Sequence, residues 1–121
     1  MPEYVRLAYQ GGEEGGEAVS IAELPGEFYA VQLLAMSSRE ALESYVAQRQ
    51  LDHVSAARVE RDGRLYYTLL LGVYETEELA RRAAAERPAA LAGTTPWIRS
   101  VSSLQSAMTR GDALARSAAS L

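Results

Sequence analysis

Residues 28–35 read Phe-Tyr-Ala-Val-Gln-Leu-Leu-Ala, an apolar run of strand length. Side chains alternate across a strand, so Tyr29, Val31 and Leu33 share one face and Ala30, Gln32 and Leu34 the other. Ser37-Ser38-Arg39-Glu40 has the spacing of a capping box, with Ser37 bonding forward and Glu40 reaching back. The helix it starts runs to about Gln50, with an apolar stripe of Ala41, Leu42, Tyr45 and Val46. Residues 54–60 form a second strand and Arg61-Asp62-Gly63 a hairpin turn, since Asp-Gly supplies the backbone geometry such a turn needs. Residues 65–73 are the third and strongest strand, with Tyr67, Leu69 and Leu71 facing the helices and Tyr66, Thr68 and Leu70 facing away. Thr76 caps a second helix, whose first turn holds Glu77 and Glu78 where the helix dipole favours acids. Arg81, Arg82 and Arg87 lie further along, and Pro88 ends the run. Pro96-Trp97-Ile98-Arg99 reads as a short fourth strand. Residues 102–108 read as a short helix that turns Leu104, Ala107 and Met108 inward.

The order is β-α-β-β-α-β followed by a helix. Long connections carry helices and the short one is a hairpin. This predicts an α+β fold: a four-stranded antiparallel sheet with two helices on one face, ferredoxin- or RNP-like, plus a short C-terminal helix. The second sheet face is open unless the last helix partly covers it, and function is expected there. The folded domain spans residues 28–108. Residues 1–27 contain Gly11-Gly12-Glu13-Glu14-Gly15-Gly16-Glu17 and read as a flexible acidic linker, in which Val19, Ile21 and Leu24 could pack locally. Residues 109–121 read as a tail that frays beyond Gly111.

Charge sharpens that division. The chain of 121 residues has a formal net charge of -4. Residues 1–27 carry six glutamates against Arg6, giving -5; residues 28–108 carry nine acids and nine arginines, giving 0; residues 109–121 give +1. The acidity therefore belongs to the leading segment. A neutral domain argues against a partner held mainly by charge, as nucleic acid is. No stretch approaches a membrane span, and residues 1–6 lack the plan of a signal peptide. The chain reads either as cytosolic or as a piece of a longer, membrane-anchored protein.

No catalytic constellation survives inspection, so an enzyme is not expected. Without cysteine, thiol nucleophiles, disulfides and thiolate metal sites are excluded. His53 is the only histidine, with no partner for a metal site or a dyad, and reads as a solvated loop residue. Glu77 and Glu78 are neighbours on a helix and face different ways, whereas glycoside cleavage needs two carboxylates aimed at one bond. There is no lysine and no phosphate-binding loop. No cofactor or metal is expected.

Four segments carry a family resemblance. Tyr29-Ala30-Val31-Gln32-Leu33 resembles the first strand of the SPOR (sporulation-related) peptidoglycan-binding family. Tyr66-Tyr67-Thr68-Leu69-Leu70-Leu71-Gly72-Val73-Tyr74 resembles its third strand and the glycine-aromatic corner after it. Thr76-Glu77-Glu78-Leu79-Ala80 resembles its second-helix start, and Pro96-Trp97-Ile98-Arg99 its last strand. The resemblance implies a non-enzymatic module that binds glycan strands stripped of their stem peptides at the bacterial division septum. The acidic glycine-rich leader reads as the end of a periplasmic tether, so the chain is expected to be a fragment of an inner-membrane-anchored protein at the division site, with division proteins as further partners. A monomer is expected, with no nucleic acid bound and membrane contact only through an upstream anchor. By motif, Gln32, Tyr66 and Trp97 fall where members place ligand-facing residues, with Thr68 on the same face and Ser37 and Ser38 at the strand-to-helix corner. One departure stands out: Leu34-Ala35 follows where members often have a small polar residue or glycine.

The chemistry agrees in part. Aromatic rings stack on the C–H faces of sugars, and an amide such as Gln32 can donate to and accept from hydroxyl and acetamido groups. Two other readings stay open. Exposed aromatics on a four-stranded sheet also suit single-stranded RNA, although the neutral domain, the acidic leader and the missing lysine/arginine-glycine-aromatic motif speak against it. The arginine-bearing second helix or the C-terminal helix could serve a protein partner of the division machinery. Trp97 itself could be a packing residue.

Overall fold

The computed structural model describes residues 4–5, 21–51 and 54–119. Strands β1 (Tyr4–Val5), β2 (Tyr29–Met36), β3 (Ser55–Arg61), β4 (Arg64–Tyr74) and β5 (Trp97–Ser100) form one antiparallel sheet. Helices α1 (Arg39–Gln48) and α2 (Glu77–Ala85) are the crossovers, and α3 (Val101–Ala119) follows β5 directly. The long β4 is central. It pairs with β2 on one side; on the other it pairs with β3 along residues 64–70 and with β1 at Val73 and Tyr74. β5 pairs with the far side of β2. This is the α+β plan expected from the sequence, with β1 added from the segment read as linker.

Local chemistry sets the elements. Ser38, not Ser37, caps α1: its hydroxyl accepts from the Ala41 N–H at 2.9 Å. The Thr76 hydroxyl accepts from the Leu79 N–H at 3.1 Å and caps α2. Asp62 and Gly63 both have positive φ, 55° and 81°, so the β3–β4 hairpin closes through a two-residue turn that only such residues adopt readily. Gly72 makes room for Tyr74, since a Cβ there would meet the tyrosine hydroxyl at 2.7 Å.

The sheet separates two cores. Val31, Leu33, Leu42, Leu69, Ala80 and Leu91 are buried on the α1/α2 side. Leu70, Val73, Val59, Val101 and Leu104 are buried on the α3 side, together with Ile21 and Leu24. Ile21 and Leu24 therefore belong to the folded body, which begins earlier than residue 28. The Gln105 side-chain amide fastens them, donating to the carbonyls of Ile21 and Leu24 at 3.0 and 2.9 Å.

Two expectations need correction. Leu34 does not share a face with Ala30 and Gln32. The β2–β4 register shifts twice, from Val31↔Gly72 to Gln32↔Leu70 to Leu34↔Leu69, and this irregularity turns both Leu33 and Leu34 towards the α1/α2 core. Ala35, opposite Thr68, then takes the other face. The C-terminal helix is also longer than residues 102–108. It continues to Ala119, and Gly111 is not a breaking point but the place where the helix backbone crosses β3: a Cβ there would lie 3.0 Å from the Val59 carbonyl carbon. His53 lies outside the described residues, as do residues 6–20 of the leader.

Candidate functional site

α3 packs mainly against β3 and, with Ile21 and Leu24, covers only part of that sheet face. Between them runs an open groove of about 890 Å³. Gln32 and Ala35 of β2 and Thr68 and Tyr66 of β4 line its sheet side, and Trp97 and Arg99 of β5 form one wall. The other wall combines the β3–β4 hairpin with Ala107 and Arg110 of α3.

Four of the five expected site residues meet here. Gln32 and Trp97 are register partners across β2 and β5. Trp97 is 50% exposed, the large hydrophobic side chain most open to solvent among the described residues. Tyr66 and Tyr67 point to opposite sides of the sheet as expected, but each is half-buried: Tyr66 packs against the α3-side core and Tyr67 against the other. Thr68 is 1% exposed and its hydroxyl donates to the Ala57 carbonyl at 3.2 Å, so it floors the groove with its hydrogen already committed. Ser37 is exposed and does not line the groove.

Arg99 is the functional candidate that the sequence reading passed over. Its Nε donates to the Ser103 hydroxyl at 2.8 Å and its Nη2 to the Ser103 carbonyl at 3.0 Å. Its Nη1 donates to Gln32 Oε1 at 3.3 Å, and the guanidinium lies 4.6 Å from the centre of the Trp97 ring. One cation thus orients both the amide and the indole. With Gln32 Oε1 engaged, the Gln32 amide NH2 faces the groove without a protein acceptor among the described residues. The available signal was strand alternation: Arg99 is two residues from Trp97 on one strand and must share its face. Its hold on α3 is possible because α3 starts at once after β5, with Ser100 accepting from the Ser103 N–H at 3.2 Å.

The groove is not neutral. Arg61, Arg99 and Arg110 line it against Glu60 and Asp62, a surplus of one positive charge. Burial holds the Arg99 guanidinium below its ordinary pKa, and the charges of Arg110 and Arg61 act in the same direction. Glu60 moves the other way. A hydrogen bond from Arg110 at 2.8 Å and another from the Gly63 N–H at 2.8 Å keep its carboxyl below the usual range. Among the described residues, no three His, Asp or Glu side chains converge as a metal site would require.

This sheet, with its glutamine, tyrosine and tryptophan on one face, is matched by a known domain. The SPOR domain family matches residues 25–100, and the chain belongs to that family. A curated relative, the cell division protein DamX of Serratia marcescens, is 32% identical over 94 residues, which cover 78% of this chain and 44% of the relative. The chain thus spans less than half the length of that relative. The family match ends at Ser100, the last residue of β5, so α3 and its groove residues lie beyond it.

Proposed function

We propose that the chain is a non-enzymatic binding module for peptidoglycan, one that takes up glycan strands lacking stem peptides and directs a larger protein to the bacterial division septum. The observation that carries this reading is the meeting of Gln32, Tyr66 and Trp97 in one groove on the sheet of a SPOR-family domain. The half-exposed indole of Trp97 offers a flat apolar surface for the C–H face of a sugar ring. The Gln32 amide NH2 can donate to a hydroxyl or acetamido oxygen. Tyr66 adds a ring on the sheet side, over the floor made by Thr68. Ser37 lies outside the groove and contributes only if the strand extends past the end of β2.

The septal part of the reading draws on the relative, whose name is that of a cell division protein. In this reading the module works in the periplasm as a monomer, and the inner-membrane anchor belongs to the parent protein. Among the described residues no helix is long and apolar enough to cross a membrane. The test is co-sedimentation with purified sacculi before and after amidase removal of the stem peptides. Binding that rises after amidase treatment supports the reading. No binding to either form overturns it and directs the search to protein partners in the division machinery.

A further inference from the structure

The three arginines of the groove need an explanation that a neutral sugar does not supply. Two of them are built in by α3: Arg110 belongs to it, and Arg99 is held by Ser103 of its first turn. Like charges gathered around one cleft oppose each other, and Arg99 is partly desolvated as well. Glu60 relieves only Arg110 Nε, and Asp62 stands 3.9 Å from Arg61 in a pair that is almost wholly exposed. The guanidinium of Arg99 has five N–H groups, of which three are engaged, and Arg110 has only its Nε engaged among the described residues. Donors and positive charge are thus left over, facing the same cleft as Trp97 and Gln32.

Denuding a glycan strand leaves an anion where a neutral bond was. The stem peptide is joined to the lactyl group of the muramic sugar through an amide. Its hydrolysis leaves a free carboxylate on that group. We infer that Arg99 and Arg110 form a carboxylate subsite in the groove, which reads the free lactyl carboxylate of a peptide-free muramic residue. The inference deepens the glycan-binding reading and rests on it. It makes selectivity for denuded strands a matter of charge as well as room: a peptide-bearing residue presents an amide that cannot form the paired, charge-assisted hydrogen bonds a guanidinium makes with a carboxylate. Trp97 and Gln32 hold the sugar, and the arginines verify its substituent.

The experiment measures binding of the whole chain to three probes at equal chain length: denuded glycan strands, the same strands with their lactyl carboxylates converted to methyl amides, and N-acetylglucosamine oligomers, which lack the lactyl group. Wild type is expected to bind the carboxylate form about tenfold more tightly than either other probe, with that preference shrinking as salt is raised. Arg110→Gln, on the exposed side of α3, is expected to lose most of the preference while keeping its binding to the amide form. Arg99→Lys is expected to lose the preference as well, because an ammonium lacks the planar pair of donors, and to weaken binding to all three probes, because Arg99 also orients Gln32 and Trp97. Equal binding of wild type to the carboxylate and amide forms overturns the carboxylate subsite and leaves the glycan-binding reading standing. So does a preference unchanged in both variants. No binding to any probe overturns both.

Discussion

The guanidinium of Arg99 lies over the indole of Trp97, 4.6 Å from the ring centre. Arg99 is anchored to Ser103 and Gln32, so the stack fixes the ring from behind and leaves the tryptophan half exposed. Trp97→Ala is therefore expected to separate binding from stability. A ring presented at a binding surface typically contributes about 2 kcal/mol to an interface when it acts as an anchor, roughly thirtyfold in affinity. Its removal should cost the fold no more than about 1 kcal/mol, because half of its surface is already in water. Co-sedimentation with denuded sacculi and thermal unfolding of the same variant test the two halves. As the only tryptophan, Trp97 also reports directly: its emission should shift on addition of glycan strands.

Arg87 carries the opposite kind of role. It sits just before Pro88, and its guanidinium donates to the carbonyls of Ala84, Leu91, Ala92 and Thr94 at 2.7 to 3.1 Å. It closes the end of α2 and holds together the small-residue loop that leads to Trp97. Arg87→Ala is expected to destabilise the domain by about 2 kcal/mol, since charge-assisted bonds to four carbonyls are lost together. Arg87→Lys should recover little of this, because one ammonium cannot serve four acceptors arranged around a plane. Thermal unfolding of the three proteins measures it. This arginine is consequently not available to a protein partner, which removes one of the residues on which that alternative reading relied.

Much of this was legible from the chain because strand periodicity is strict. Gln32, Tyr66 and Thr68 could be put on one face by counting alone, and the register places Trp97 opposite Gln32. What escaped depends on contacts between distant segments. The register shift after Val31 reverses the side of Leu34, and no residue in that apolar run marks it. Ser38 displaces Ser37 as the cap of α1, a one-residue choice between two identical side chains. Gly111 looked like the start of a fraying tail, whereas its missing side chain serves the packing of a helix that continues. The neutral total of residues 28–108 holds within the groove as well, where Arg61 and Arg99 balance Glu60 and Asp62; the surplus charge is Arg110, which lies in the segment read as a fraying tail.

Glu60 gives the hairpin wall of the groove a dependence on acid. The hydrogen bond from Arg110 first, and the Gly63 N–H second, lower its pKa in the folded protein below the unfolded value. The folded state holds the ionised form more strongly, so its contribution is complete above the unfolded carboxylate pKa. It is lost as the pH falls through the lower folded value. Glu60 is expected to titrate below the ordinary glutamate range when followed by carboxyl NMR shifts. In Arg110→Gln its titration should move back up towards the ordinary glutamate value, and in Glu60→Gln the acid-dependent part of the hairpin's stability should vanish.

Gly111 offers a test of how α3 is seated, with an outcome opposite to helix propensity. In the interior of an exposed helix, exchange of glycine for alanine is normally stabilising by about 1 kcal/mol. Here the added methyl would meet the Val59 carbonyl carbon at 3.0 Å, its Cα at 3.1 Å and the Arg58 carbonyl oxygen at 3.2 Å. All three are backbone atoms of β3 and cannot swing aside. Gly111→Ala is therefore expected to destabilise the protein by about 1–3 kcal/mol, the usual cost of overpacking. Gly93→Ala has open space around the new methyl and should change stability little. Because α3 carries Arg110 and Ser103, displacement of the helix should also weaken binding to denuded strands at temperatures where the variant is still folded. Thermal unfolding compared with co-sedimentation at low temperature measures the two effects. A Gly111→Ala protein that is more stable than wild type would mean that α3 does not press on β3, and that the α3 side of the groove is not held where it is described.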